Sequence, residues 1–483
     1  MNHKNESFSP SAQYRLPHYS RNILVFAIAI NLLIFYVELM LTPSLPAMAT
    51  QYGVTIAEVG LVTALYAMSG TALVPLMGKL GDIFGKKKVL SLILSLYAIS
   101  VTITGFSPSF DLLLVFRTIQ GIGLSIQPLL VSLVREEFPR KEVPKAQGML
   151  SGASGIGFVL GLVLGSFISD KYGWQATYHT AVPFAVAFAI LAFLIIKESP
   201  YKRPSVKVDY VGSMTIGIAL SMVVLGLAEA PSWGWLSPRT AAFFTTGGIS
   251  FIALLLYDRR YLKKGGEPIL DLNLLSIRNV IASNLSFMLV NIAMMLTFQG
   301  FTFKFELPDP AGFSLSVFNT GISLLPFGIS VSIFSAVTGF VVSRFGVKPI
   351  AIIGAIIGSS SLVACSLTSG YLPLLLLMFF VGTGLSLINA SQINLLVLSV
   401  DPKSIGLASS MNSVFRNLGN SIGTPIAGSI LSTFIVYRYT VSGWRNLPSV
   451  LAFHYLYYSG AACLIVIILT TIFSKEILGH ERK

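Results

Sequence analysis

Charged residues are scarce in this chain: they make up 11% of its 483 residues, whereas hydrophobic residues make up 54%. An average soluble domain carries about 25% charged residues, so this composition excludes an ordinary soluble protein. Apolar runs recur along the whole chain, and a bilayer core of roughly 30 Å needs about 20 such residues per helix. The sequence therefore predicts an all-α membrane protein.

The chain also lacks the residue groups that form metal, disulfide and nucleotide sites. Its two cysteines, Cys365 and Cys463, both fall inside apolar runs, which favours packing over a disulfide. The five histidines form no ligand pair at helical spacing. No glycine-rich phosphate loop follows a strand, which excludes an ATP-driven pump. We expect no metal, no cofactor and no enzyme activity.

Fourteen apolar runs are long enough to cross a membrane. The predicted spans are residues 23–47, 58–78, 89–107, 112–134, 147–168, 178–196, 211–228, 240–257, 280–303, 316–341, 350–367, 372–398, 407–436 and 455–474.

The basic excess, a net charge of +13, could indicate nucleic-acid binding, but the cations follow one side of the predicted spans. With the N-terminus inside, 26 of the 33 Lys and Arg residues lie on the cytoplasmic side, and only Arg117 and Arg416 lie within spans. This asymmetry predicts a plasma-membrane protein with both termini in the cytoplasm. Basic clusters then contact anionic lipid, and no nucleic acid is needed as a partner.

Two segments of the first half recur in the second half. GKLGDIFGKKK at 78–88 resembles GFVVSRFGVKP at 339–349 at an offset of 261 residues, and 148–166 resembles 406–424 at an offset of 258. Each match occupies an equivalent place in a series of six spans, which predicts two homologous six-helix bundles around an inserted pair of spans. The predicted divisions are a cytoplasmic tail 1–22, a bundle 23–200, the insertion 201–275, a bundle 276–474 and a cytoplasmic tail 475–483.

At these residues the chain resembles the major facilitator superfamily, over nearly its full length. The segment 78–88 is similar to the signature loop between the family's second and third helices, and RTIQGIG at 117–123 is similar to its fourth-helix motif. The inserted pair looks like the fourteen-span branch of drug:proton antiporters. The resemblance implies the pseudo-symmetric major facilitator fold and proton-coupled export of a drug-like compound by a monomer.

In the signature loop the resemblance implies a conformational latch, formed by Gly78, Asp82, Gly85, Lys86 and Lys87. The glycines permit a tight reversal, and Asp82 can accept hydrogen bonds from a neighbouring helix N-terminus. The alternative is a solvated turn whose lysines only set the topology. Because Ser343 replaces Asp82 in the second copy, any latch should be stronger in the first bundle.

Three glycines of the fifth span, Gly157, Gly161 and Gly165, form a stripe that allows close approach of another helix. The family's antiporter motif has a proline where this chain has Leu162. Proton-coupled uptake therefore remains open beside export. A membrane sensor that has lost transport is a third alternative.

Glu38 is the only acid inside any predicted span, and Asn31 and Thr42 share its helix face. A carboxyl group in a low-dielectric cavity holds a proton readily and loses it when a cation or water arrives. We expect Glu38 to carry the coupling proton, and a structural glutamate is the competing interpretation. Arg117 must avoid lipid, so it contributes either to proton coupling or to structure. For Arg416, its neighbours Asn412, Asn417 and Asn420 favour a satisfied polar cluster.

The remaining polar and aromatic positions within spans predict a substrate cavity of low fixed charge, suited to an apolar or cationic small molecule. The candidates are Asn31, Tyr66, Gln120, Gln127, Phe298, Asn389 and Gln392.

Overall fold

The structure, a computed structural model, describes residues 17–139, 142–198, 208–309, 311–401, 405–440 and 443–476. Those residues form helices and a single β-hairpin. The helices are α1 (Pro17–Leu39), α2 (Leu45–Tyr52), α3 (Ile56–Phe84), α4 (Lys86–Gly105), α5 (Phe110–Gln120), α6 (Ile126–Glu137), α7 (Val143–Tyr172), α8 (Trp174–Ile195), α9 (Tyr210–Trp233), α10 (Pro238–Lys263), α11 (Leu272–Leu275), α12 (Arg278–Glu306), α13 (Val317–Ser323), α14 (Leu325–Phe345), α15 (Val347–Leu367), α16 (Tyr371–Ser399), α17 (Ile405–Thr433) and α18 (Val450–Phe473).

The predicted all-α membrane fold is confirmed. In the described residues, thirteen helical segments are long and apolar enough to cross a membrane. Helix α17, with 29 residues, is not among these segments, and it packs against α3, α9 and α12 in the place of the thirteenth predicted span. Three spans are built from two helices each, namely α1 with α2, α5 with α6, and α13 with α14.

The break in the first span has a clear cause in the sequence. Helix α1 ends at Leu39, and a 3₁₀ turn, Thr42–Ser44, leads into α2. Pro43 lies in this turn and Pro46 lies in the first turn of α2. Since proline lacks an N–H and clashes with the preceding turn, α1 cannot continue through these positions. Glu38 consequently lies in the last turn of a helix that stops inside the membrane.

Equivalent helix pairs recur in the two bundles. Helix α1 packs against α7 as α12 packs against α17, and α4 packs against α8 as α15 packs against α18. A Cβ added at Gly161 would lie 3.0 Å from the Tyr36 carbonyl oxygen, and one added at Gly419 would lie 2.4 Å from the Met288 carbonyl oxygen. Because these glycines are the pair that the 258-residue offset relates, the packing repeats along with the sequence.

The inserted pair lies on one side of the bundles. Helix α9 packs against α3 and α17, while α10 contacts α9. Asp209 caps α9 by accepting from the Gly212 N–H at 2.8 Å, and it also accepts from the Ile269 N–H at 3.3 Å. Lys79 of α3 lies 3.6 Å from Glu267, in the segment after α10. Of the predicted insertion 201–275, residues 201–207 lie outside the described residues.

A β-hairpin between α17 and α18 was not predicted. Strands β1 (Ile435–Thr440) and β2 (Gly443–Pro448) pair antiparallel, with Ile435 opposite Pro448. The thirteenth span was extended to residue 436, but α17 ends at Thr433. The β-branched and aromatic residues of IVYRYT favour a strand once the chain leaves the bundle. We call this side of the molecule the hairpin end, and the side of the loops at Gly85 and Gly346 the signature end.

The topology predicts which residues a membrane-impermeant thiol reagent can reach. Ser232, in the last turn of α9, and Lys264, directly after α10, are both exposed and lie at opposite ends of the inserted pair. In a background with Cys365 and Cys463 changed to Ser, we expect Ser232→Cys to label in intact cells. Lys264→Cys should label only after permeabilisation. Labelling of both cysteines from one face would contradict the arrangement of the inserted pair.

Candidate functional site: a polar cavity between the bundles

A small cavity lies between the two bundles, and Glu38 is part of its wall. We call it the Glu38 cavity; its volume is about 60 Å³. Its lining is Glu38, Leu39, Thr42, Leu45, Thr63, Tyr66, Ala67 and Arg117 from the first bundle and Met295, Phe298, Gln299, Asn420 and Thr424 from the second. A single water needs roughly 10 to 15 Å³ of such volume, and drug-sized ligands occupy about 300 to 1,000 Å³. In this conformation the cavity has room for a few water molecules, which can carry a proton, but it is too small for a drug-sized compound.

Several polar atoms around this cavity have no hydrogen-bond partner among the described residues. They are Tyr66 Oη, Arg117 Nη2, both polar side-chain atoms of Gln299, and Asn420 Oδ1. Buried polar groups in folded proteins almost always have a partner, so this wall offers donors and acceptors to water or a bound molecule. The two bundles contribute these atoms jointly.

Arg117 is fully buried and holds helices together while it faces the cavity. Its Nε donates to the Val62 carbonyl oxygen at 3.0 Å, and its Nη1 donates to Gln120 Oε1 at 2.7 Å. The guanidinium carbon lies 4.7 Å from the centre of the Tyr66 ring, within the range of a cation–π interaction. These contacts fix α5 against α3 and leave Nη2 without a hydrogen-bond partner among the described residues.

Glu38 interacts electrostatically with two arginines, one from each bundle. Arg416 and Arg117 both interact electrostatically with its buried carboxyl group. Arg416 precedes Asn420 by four residues, so the two share a face of α17, and Asn420 reaches the cavity. Arg117 moves with Glu38 in any rigid-body motion of the bundles, whereas Arg416 does not.

The polar cluster expected around Arg416 is divided in the structure. Asn412 donates to Asn284 Oδ1 at 3.1 Å, and Asn420 lines the Glu38 cavity. Within the described part of the chain, Arg416 has no hydrogen-bond partner. Arg416 is therefore not held by the asparagines that follow it on its own helix.

Of the predicted substrate residues, Tyr66 and Phe298 line the Glu38 cavity and the five others lie outside its lining. Each of three polar ones is directed at a partner in its own bundle. Asn31 donates to the Leu150 carbonyl oxygen at 2.8 Å, Gln120 accepts from Arg117, and Gln392 donates to Thr471 at 3.3 Å. Gln127 and Asn389 are half-buried outside the lining of this cavity.

Four polar residues of the cavity lining were not predicted from the sequence as cavity residues: Thr63, Gln299, Asn420 and Thr424. Gln299 is an amide within an apolar run, and this was an available signal because a polar side chain within a span faces protein or a cavity rather than lipid. The others required the packing of α3 against α17, where a Cβ added at Gly60 would lie 3.5 Å from the Thr424 side chain. No pattern within a single helix indicates that contact.

The glycine stripe of α7 faces α1. A Cβ at Gly157 would lie 2.7 Å from the Leu32 carbonyl oxygen, and one at Gly165 would lie 2.7 Å from the Met40 Cα. Small residues permit this backbone-to-backbone contact between membrane helices. Since Leu32 and Met40 flank Glu38 on α1, the stripe fixes the position of the helix that carries the carboxylate.

The signature loop joins α3 to α4 through Gly85, whose φ of +105° suits glycine. A Cβ there would lie 2.1 Å from Glu198 Oε1, and that carboxylate accepts from the Lys87 N–H at 3.3 Å. Lys86 is buried and forms an ion pair with Glu136 of α6. Asp82 lies in the last turns of α3, whereas the space beside Gly78 is open.

The second bundle repeats this carboxylate cap. Gly346 has a φ of +88°, and Glu476 accepts from the N–H groups of Val347 at 3.0 Å and Lys348 at 3.1 Å. Carboxylates at helix N-termini satisfy free N–H groups and favour the helix dipole. The Lys86 ion pair has no counterpart, because Val347 occupies the equivalent position. The two loops are thus similar in capping and different in charge.

The sequence model of the Major Facilitator Superfamily matches residues 24–209, 210–424 and 281–478 of this chain. Among relatives, the tetracenomycin C resistance and export protein of Streptomyces glaucescens is 26% identical over 392 residues, covering 80% of this chain and 71% of that protein. The multidrug resistance protein Stp of Mycobacterium tuberculosis is 25% identical over 411 residues, covering 83% of this chain and 74% of that protein.

Solved structures show the same fold at low identity. A bacterial homologue of the human lysosomal transporter Spinster superposes with a TM-score of 0.68 at 15% identity, covering 95% of this chain and 96% of that one. The xylose transporter XylE of E. coli gives a TM-score of 0.62 at 16% identity, covering 95% of this chain and 98% of that one.

The contact between α7 and α1 predicts that two glycines of one helix tolerate alanine differently. Gly165→Ala places a methyl group against the Met40 backbone, and overpacking of this kind costs about 1–3 kcal/mol. Gly152→Ala is the matched control, because nothing lies within 4 Å of its added Cβ. We expect a lower thermal unfolding temperature in detergent for Gly165→Ala alone. Equal temperatures for both variants would contradict the packing described for Gly165.

Proposed function

The chain belongs to the Major Facilitator Superfamily, and from that premise we propose that it exports a small amphipathic, drug-like compound in exchange for protons. The observation that carries this proposal is Glu38, an acid in a cavity that both bundles line and between arginines of both bundles. The printed names of two relatives, a resistance and export protein and a multidrug resistance protein, support drug-type export.

The contacts between the bundles are consistent with alternating access. At the hairpin end, the Ala57 N–H donates to Ser432 Oγ at 3.1 Å, and a Cβ at Gly321 would lie 2.2 Å from Ser166 Oγ. If the termini are cytoplasmic, as the charge distribution predicts, this end faces the outside. The conformation is then one in which the outer side is closed.

The proposed proton coupling uses the distribution of the two arginines between the bundles. While the hairpin end is closed, Arg416 of the second bundle interacts electrostatically with Glu38, and in the proposed cycle water that enters from the cytoplasmic side takes up the proton. Rocking of the second bundle carries Arg416 away, and Glu38 then binds a proton from outside. Inward proton movement yields roughly 2.3 kcal/mol per charge per 100 mV, which drives substrate outward.

Proton-coupled uptake is the second candidate, because Leu162 replaces the proline of the family's antiporter motif. The same carboxylate and arginines serve either direction, so the geometry of the Glu38 cavity does not separate the two. The direction of gradient-dependent flux in liposomes of defined orientation separates them.

Substitution of Glu38 tests the coupling. Glu38→Gln keeps the shape and the hydrogen-bonding capacity of a protonated glutamate but cannot release a proton. We expect proton-driven accumulation to be abolished in liposomes, while downhill exchange and substrate binding persist. Glu38→Asp should retain part of the coupling, because it still titrates.

A structural glutamate gives the opposite order of effects. Glu38→Gln would then transport almost normally, and the shorter Asp would be the more damaging change. Substrate-evoked proton release from the purified variants decides between the two, and undiminished release from the Gln variant would remove Glu38 from the coupling step.

The signature loop is proposed to be a latch that stabilises one of the two conformations, with Asp82 as its main acceptor. Asp82→Asn should therefore shift the population between the states open to either side, and Ser343→Ala should shift it little. Distance distributions between spin labels at the two ends of the bundles measure this population. Equal shifts for the two variants would show that the latch is symmetric and would refute the proposal.

A further inference from the structure

A second and larger cavity lies at the hairpin end, apart from the Glu38 cavity. Its volume is about 820 Å³, which falls within the range of drug-sized ligand sites. It is lined by Pro46, Ala47, Ala49, Thr50, Gln51, Gly53, Val54, Thr55, Ile56, Phe303, Glu306, Leu307, Pro308, Leu431, Ser432, Ile435, Asn446, Leu447 and Pro448. We call it the hairpin cavity. Both bundles and the β-hairpin contribute to its wall.

Glu306 is the only ionisable residue in this lining, and its surroundings are unfavourable for an anion. It is the last residue of α12, where the helix dipole is negative. The negative charge of Asp170 on α7 adds to this repulsion. The backbone N–H of Ala47 faces the carboxylate, but Oε2 is buried and has no hydrogen-bond partner among the described residues.

Two lysines close to Glu306 and Asp170 in the chain are engaged elsewhere. Lys304, on the same helix, donates to the Ala311 carbonyl oxygen at 3.0 Å, and its Nζ lies 4.9 Å from the centre of the Phe453 ring. Lys171, which follows Asp170, lies over the Phe167 ring at 4.6 Å. Neither lysine belongs to the cavity lining. The cavity therefore combines apolar walls with one carboxylate that has no cationic partner in the lining.

We propose that the hairpin cavity binds a monovalent lipophilic cation, with the Glu306 carboxylate as its counter-ion. A quaternary or protonated amine with an apolar body fits these features, because its charge offsets the buried carboxylate and its body contacts Ile56, Leu307 and Leu431. A buried carboxylate is costly without a positive partner, so charge dominates selectivity. This binding requires neither proton coupling nor export, and hence stands apart from the role of Glu38.

Because the walls come from both bundles, occupancy of this cavity depends on how the bundles are arranged. A cation bound between α2 and the end of α12 favours the closed hairpin end, and by linkage it alters affinity at the Glu38 cavity. The site is thus expected to modulate transport as well as to bind.

Binding to the purified full chain in lipid nanodiscs tests the proposal, with tetraphenylphosphonium as the cation and triphenylphosphine oxide as a neutral probe of similar shape. Tetraphenylphosphonium does not titrate, so its charge stays the same at every pH and the comparison with the neutral probe isolates the effect of that charge. Glu306→Gln should weaken binding of the cation by about tenfold, the value of one lost charge contact. The neutral probe should be affected less than about twofold, because its contacts are apolar.

Two further variants control for position and for shape. Asp170→Asn removes an exposed acid outside the lining, and we expect it to weaken cation binding far less than Glu306→Gln. Thr50→Trp places an indole at the exposed rim of the cavity and should weaken both probes. Thermal unfolding of each variant verifies that it is folded. If Glu306→Gln does not fold, Glu306→Asp is measured in its place.

The same measurement in a Glu38→Gln background separates the two sites. Cation binding that depends on Glu306 should persist there, even if proton coupling at Glu38 proves wrong. The proposal is overturned if Glu306→Gln binds the cation as wild type does, if Asp170→Asn weakens it equally, or if both probes lose affinity in parallel on Glu306→Gln.

Discussion

An ionisable side chain within a bilayer must face protein rather than lipid, and this constraint organises the centre of the molecule. Glu38, Arg117 and Arg416 all lie toward the contact between the bundles rather than on the outer surface. Arg117 is tied to its own bundle by hydrogen bonds to Val62 and Gln120. Since Arg416 belongs to the other bundle, the electrostatic environment of Glu38 depends on how the bundles are arranged.

Close helix packing keeps these groups in place. Glycines of α7 and α17 lie against the backbones of α1 and α12 at equivalent positions, so each bundle fixes its first helix with the same device. Carboxylates likewise cap the third helix of each bundle, from Glu198 and Glu476. The repeated contacts make each bundle a unit that can move as a rigid body, while the charged groups at the contact differ between the halves.

The two cavities between the bundles differ in size and in the residues that line them. The Glu38 cavity, about 60 Å³, is small and has both an acid and an arginine in its lining, whereas the hairpin cavity, about 820 Å³, is large and has one acid as its only ionisable lining residue. A proton with a few waters suits the first, and a bulky molecule suits the second. Both change shape when the bundles move, because each has walls from both halves.

The sequence by itself determined the membrane class, the helical spans, the duplication and the position of Glu38. The length of each apolar run is enough to predict a span, because a backbone in lipid must satisfy its hydrogen bonds within its own helix. Only the tertiary structure decided that Gln299 and Asn420 reach the cavity, that Asn31 turns to α7, and that a hairpin follows α17. The physical reason is that helical periodicity shows which residues share a face, whereas the neighbour that each face meets depends on packing between residues more than 100 positions apart.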